Sequence, residues 1–115
     1  TSTGTFVDNK GPLRDISVTE QYISYDLSIA ETGKLLVMSL DSANVHVKDS
    51  IFSPGNAVSI FNNTATTITM TQNTGVTLIL TGTTEKGNRL LSAYGLATMI
   101  CIAANTFIVS GAGLS

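Results

Sequence analysis

The sequence predicts an all-β fold, an antiparallel and jelly-roll-like β-sandwich of about eight or nine short strands. Three observations predict it. Threonine and serine fill the periodic segments instead of gathering in a linker, and the branched Cβ of threonine suits a pleated backbone. Apolar residues recur with a period of two, which a helix cannot satisfy. Turn residues punctuate the chain at short intervals with no helical stripe between them, which argues against a parallel α/β sheet.

The elements follow in order. Residues 1–17 stand apart, polar at the start and interrupted by Gly11-Pro12, and are expected to form an N-terminal arm, an attachment segment ahead of a sandwich domain at 18–115. From Ile23 the residues Ile23, Tyr25, Leu27 and Ile29 alternate with Ser24, Asp26 and Ser28, the signature of a half-buried strand. Glu31-Thr32-Gly33 then turns the chain into Leu35-Leu36-Val37-Met38, a continuous apolar run suited to a central strand covered on both faces. Asp41-Ser42-Ala43-Asn44 is a turn, Val45 and Val47 alternate with His46 and Lys48, and Ser53-Pro54-Gly55-Asn56 is the strongest turn signal. Segments 57–61, 66–71 and 76–80 read as consecutive antiparallel strands, separated by Asn62-Asn63 and Gln72-Asn73-Thr74-Gly75. After a polar loop at 82–88 come strands at 89–94, 96–103 and 106–110, the last two joined as a hairpin across Ala104-Asn105. No tandem repeat is expected.

Composition limits the function classes. At 115 residues the chain has room for one core. Six Lys and Arg against eight Asp and Glu give a net charge of −2, with no basic run to hold nucleic acid. Charged residues make up 12% where soluble domains carry about 25%, and the mean hydropathy is +0.28. The longest apolar stretch, 96–104, is interrupted by Thr98 and falls short of the roughly 18 residues of a membrane helix, so no membrane insertion is expected. An apolar chain of low charge is expected to bury surface against copies of itself or a larger assembly, with Leu78 and Ile100 at the contact.

The residues that carry chemistry are sparse, and no catalytic, cofactor or metal site is expected. His46, the single histidine, lies on the polar phase of a strand beside Lys48, without the nucleophile and orienting group of a triad. Cys101, the single cysteine, shares the apolar phase of Ala97, Met99 and Ala103 and reads as a buried, inert thiol. Asp41 and Asp49 flank one strand, and Asp26 and Glu31 are two further carboxylates, but turn aspartates ordinarily bond their own backbone. Asp41 with Asn44 is far from a calcium loop, and Gly111-Ala112-Gly113 lacks the lysine and the following helix of a phosphate loop. Asn62-Asn63-Thr64 matches a glycosylation sequon. Among the aromatics, Tyr22 and Tyr94 are available for single contacts, and Tyr25 reads as core.

One segment runs from Tyr25 through Glu31-Thr32-Gly33 to Met38. Ala43-Asn44-Val45-His46-Val47 and Phe52-Ser53-Pro54-Gly55-Asn56-Ala57-Val58-Ser59-Ile60-Phe61 follow it. Together with Gln72-Asn73-Thr74-Gly75, Gly87-Asn88-Arg89, Gly95-Leu96-Ala97-Thr98 and the stretch from Ala103 to Gly113, they resemble a β-rich module of tailed-bacteriophage virion proteins. The resemblance spans roughly residues 22–113, as a pattern of strands and turns without a catalytic signature. It implies a homotrimeric, non-enzymatic virion protein that takes no cofactor. The shortness of the chain, with no shaft or self-cleaving peptidase, favours a capsid decoration or head-fibre protein docking on the major capsid protein or other virion proteins. The alternative it implies is a tail-fibre or spike domain that recognises bacterial surface glycans.

Overall fold

The computed structural model describes residues 16–115, together with the backbone of a small antiparallel ribbon formed by β1 (Val7–Asp8) and β2 (Gly11–Pro12). Most of the expected arm, residues 1–17, lies outside the described residues. Its last residue is already fixed to the body, because the Leu35 amide donates to the Ser17 carbonyl at 2.9 Å.

The fold is all-β. Nine strands form one nearly closed, barrel-like sheet: β3 (Val18–Gln21), β4 (Tyr25–Asp26), β5 (Leu35–Met38), β6 (Asn44–Val47), β7 (Ala57–Asn62), β8 (Ile68–Gln72), β9 (Thr77–Leu80), β10 (Arg89–Ala103) and β11 (Thr106–Leu114). The chain winds. β3, β5 and β7 lie side by side in parallel, and β4, β6 and β8 do the same, so each turn of the winding places one strand in each stack.

The 15-residue β10 then runs back along the last turn, pairing antiparallel with β7 over Leu96 to Ile100 and with β8 over Arg89 to Leu91. It thereby joins the stacks into two half-sheets. The first comprises β3-β5-β7, the C-terminal part of β10, β11 and β9; the second comprises β4-β6-β8 and the N-terminal part of β10. Inner residues from both, among them Leu36, Ile60, Met99 and Phe107 from the first and Val45, Val47, Ile68 and Met70 from the second, meet in one cluster. Burial of this shared core is the main force holding the halves together.

The topology corrects several sequence expectations. Five of the eight strand pairings in the main sheet are parallel, so the sheet is mixed and not antiparallel. The segments read as consecutive antiparallel neighbours, now β7, β8 and β9, do not pair with one another. For β7 and β8 the reason is the corner after β7. Buried Asn62 donates through Nδ2 to the carbonyls of Thr66 at 2.7 Å, Ser92 at 2.9 Å and Leu91 at 3.0 Å, and accepts from the Thr64 amide and hydroxyl through Oδ1. These bonds bend the chain into the other half-sheet instead of folding it back beside β7.

Segments 89–94 and 96–103 are one strand with a bulge, where Tyr94 takes φ 57° and the register against β11 shifts between Leu91 and Leu96. The segment from Ile23 to Ile29 keeps only two strand residues. Ser28 caps a 3₁₀ turn at Ile29–Glu31 and leaves Ile23 and Ile29 exposed.

Other expectations match the observed fold. β5 is interior, between β3 and β7. The turn at Ser53-Pro54-Gly55-Asn56 closes through Ser53 N to Asn56 Oδ1 at 2.8 Å. The 104–105 hairpin forms with Asn105 at φ 55°.

Candidate functional site: the outer face of the first half-sheet

Because strand residues alternate between faces, the register fixes which side chains leave the core. On the first half-sheet the outward residues form cross-strand rows. One row is Ala57, Ile100, Ile108 and Ile79; a second is Val18, Leu35, Ser59, Thr98 and Ser110; a third is Glu20, Val37, Phe61, Leu96 and Ala112. Ile102 extends the face. Leu96, Ile100 and Ile102 are 46%, 37% and 48% exposed. Leu35, Val37, Phe61, Ile79 and Ile108 are half-buried by their neighbours on the same face. Its polar centre is the Ser59 and Thr98 hydroxyl pair at 3.4 Å.

Charge is confined to the margins of this face. Glu20 stands on the edge strand β3, where hydrogen bonds from Ser39 and Tyr22 hold its carboxyl below the usual carboxylate range. At the opposite margin exposed Glu85 and Lys86 lie side by side, with Lys86 in a backbone bridge to Ile79 and the Leu80 amide donating to the Glu85 carbonyl at 3.0 Å.

The second half-sheet turns a polar face outward: Asp26, His46 and Thr71 in one row, Asn44 and Thr69 in another, with Leu90 the apolar exception. These side chains satisfy one another. Lys48 pairs with Asp26 at 2.9 Å, and that hydrogen bond lowers the Asp26 pKa. Thr71 donates to Asn44 at 3.2 Å, and His46 Nδ1 lies 3.4 Å from Asn73 Oδ1.

Of the remaining residues singled out by chemistry, Glu31, Cys101 and Asn62 have structural partners. Glu31 is buried. Its Oε1 accepts from the Ser28 amide at 2.7 Å and the Ser28 hydroxyl at 2.9 Å, and its Oε2 accepts from the Tyr25 hydroxyl at 3.0 Å, so it caps the 3₁₀ turn and shares nothing with Asp26. Burial raises the Tyr25 pKa, and the Glu31 carboxylate adds to the shift. Asp41 and Asp49 are exposed at opposite ends of β6. Cys101 is buried and donates Sγ–H to the Ala103 carbonyl at 3.1 Å. No group of three His, Cys, Asp or Glu side chains converges among the described residues. The acceptor asparagine of the sequon, Asn62, has no exposed surface and its amide is fully engaged, so it is unavailable to a glycosyl group.

Of the two residues expected at a contact between copies, Leu78 points into the core with 0% exposure and cannot contribute, whereas Ile100 points outward. Sequence reasoning missed the face itself. Its signal was the loss of alternation in Leu35-Leu36-Val37-Met38 and Leu96 to Ile102, where both phases are apolar. Also missed was the work of Gly95, Gly111 and Gly113, which let β10 and β11 approach at the bulge. A Cβ on Gly111 would lie 2.0 Å from the Leu96 carbonyl oxygen. Comparison of the chain with known protein families, with curated proteins and with solved structures found no match in any of the three.

Proposed function

We propose that this chain is a non-enzymatic structural protein of a bacteriophage virion, a capsid decoration or head-fibre protein that assembles as a homotrimer and docks on the major capsid protein or another virion protein. The observation that carries the reading is the apolar, weakly charged outer face of the first half-sheet. The resemblance over residues 22–113 supplies the virion context. A jelly-roll-like sandwich is the finer reading of the fold, supported by the way inner residues of both half-sheets meet in one core.

A second reading, a tail-fibre tip that recognises bacterial surface glycans, is favoured by Tyr22 and Tyr94. Both are highly exposed, and both sit where the chain passes between half-sheets, Tyr22 between β3 and β4 and Tyr94 at the bulge of β10. One pair of binding assays separates the two. Purified protein that rebinds stripped particles at saturable stoichiometry supports decoration, whereas binding to host cells or their polysaccharide, lost in Tyr22→Ala and Tyr94→Ala, supports the adhesin. Binding to neither would remove both.

A further inference from the structure

Resting on the trimer reading, we propose that the outer face of the first half-sheet is the contact between copies of this chain, and that the outer face of the second half-sheet is the side turned to solvent or to the particle. Size is the first argument. Six strands at about 4.8 Å spacing and some seven residues of β10 at about 3.3 Å give a plan area near 500 Å² before corrugation, at the upper end of what monomers leave bare and approaching the roughly 800 Å² each partner gives to a stable interface.

Charge identifies the occupant. Copies of one chain bring the same charges to their contact, so a face bearing a net charge would set like against like. The rows between β5 and β9 carry no Lys, Arg, Asp or Glu, which suits an identical partner better than a partner chosen by charge. The bordering charges stay outside these rows, Glu20 on β3 and the adjacent Glu85 and Lys86 beyond β9.

Hydroxyls complete the match. Ser59, Thr98 and Ser110 run through the middle of the face and each can donate or accept, so they find partners in an identical row.

Sedimentation equilibrium of the full chain beside three lysine variants tests the proposal. The unaltered chain is expected to run at three times 12.0 kDa, and so is Thr71→Lys on the polar face. Leu96→Lys and Ile100→Lys bury an unpaired charge at the contact and should need at least about 100-fold more protein to assemble. Hydroxyl-radical footprinting of the unaltered chain is the companion measurement, and it decides the matter where a variant misfolds. Leu96, Ile100 and Ile102 should be protected relative to exposed Ile23 and Ile29, beyond the difference their exposure in a single copy gives. Trimers in every variant, with the face reactive, would overturn this contact and leave the trimer standing. A 12 kDa unaltered chain with the face reactive would overturn both. A 12 kDa chain with the face protected would assign the cover to residues 1–15 of the same chain and overturn the contact between copies.

Discussion

The two half-sheets share one core and differ in what they show outside it. In the second, β6 and β8 alternate strictly, Val45-His46-Val47-Lys48 and Ile68-Thr69-Met70-Thr71, so each apolar side chain goes in and each polar one goes out. In the first, β5 and the C-terminal part of β10 are apolar in both phases, and a second apolar surface results. The difference separates two uses of apolar side chains. Period-two alternation is enough to build a stable wall, and the apolar residues of the first half-sheet exceed that requirement.

The largest effect expected from breaking this arrangement is on the first half-sheet. Gly111→Ala places a Cβ 2.0 Å from the Leu96 carbonyl oxygen and 2.6 Å from the Ala97 Cα, both backbone atoms that cannot step aside. β10 and β11 must separate, at a cost of about 4 kcal/mol or more, and thermal melting should show a large drop or no folded protein. A variant that melts like the unaltered chain would mean that the two strands are not in this close register.

Asn62→Ala attacks the joint between the halves. It leaves carbonyls of Thr66, Leu91 and Ser92 and the Thr64 amide short of a buried partner, and should cost on the order of 3 kcal/mol in urea unfolding. Because the corner belongs to both halves, probes placed on each should lose stability together. If only one half loosened, the single core would be the wrong description.

Cys101→Ser should cost about 1 kcal/mol, since the serine hydroxyl inherits the Ala103 carbonyl as acceptor and loses only the apolar fit of the sulfur.

Changes on the polar half should be the smallest. His46→Ala, Asp41→Asn and Asp49→Asn should each move stability by no more than about 1 kcal/mol and leave particle binding intact, since none has a buried partner. Asp26 adds a sign that can be checked. Its folded pKa lies below the ordinary 3.8 because Lys48 hydrogen-bonds the carboxylate, so its contribution is present above that value and fades as pH falls further. In Lys48→Gln, the slope of stability against pH in this acid range should flatten. An unchanged slope would show that the pair is open in solution.

How much of this was legible in the sequence follows from the same contrast. The strand positions, the turn at Ser53-Pro54-Gly55-Asn56 and the Ala104-Asn105 hairpin could be read because turn chemistry and alternation are local. The parallel winding could not. A chain returning to its own edge and one crossing to the other half-sheet use the same turn residues, and what decides between them is Asn62 reaching carbonyls 29 and 30 residues away. Leu78 and Ile100 looked alike as apolar strand residues, and only the register separates a core position from an outward one. Gly111 and Gly113 lay past the expected strand at 106–110 for the same reason, since their role depends on the strand laid against them. Glu31 read as a turn residue without its buried partners, because a cap closed over by a neighbouring tyrosine leaves no mark on spacing.

Whether the apolar outer face is covered in solution is tested most directly by the mass of the unaltered chain. Light scattering at micromolar concentration should return three times the 12.0 kDa chain mass, stable on dilution and insensitive to salt, because the contact is apolar and nearly uncharged. A single 12 kDa species across that range, with the face still reactive to solvent-borne radicals, would contradict it.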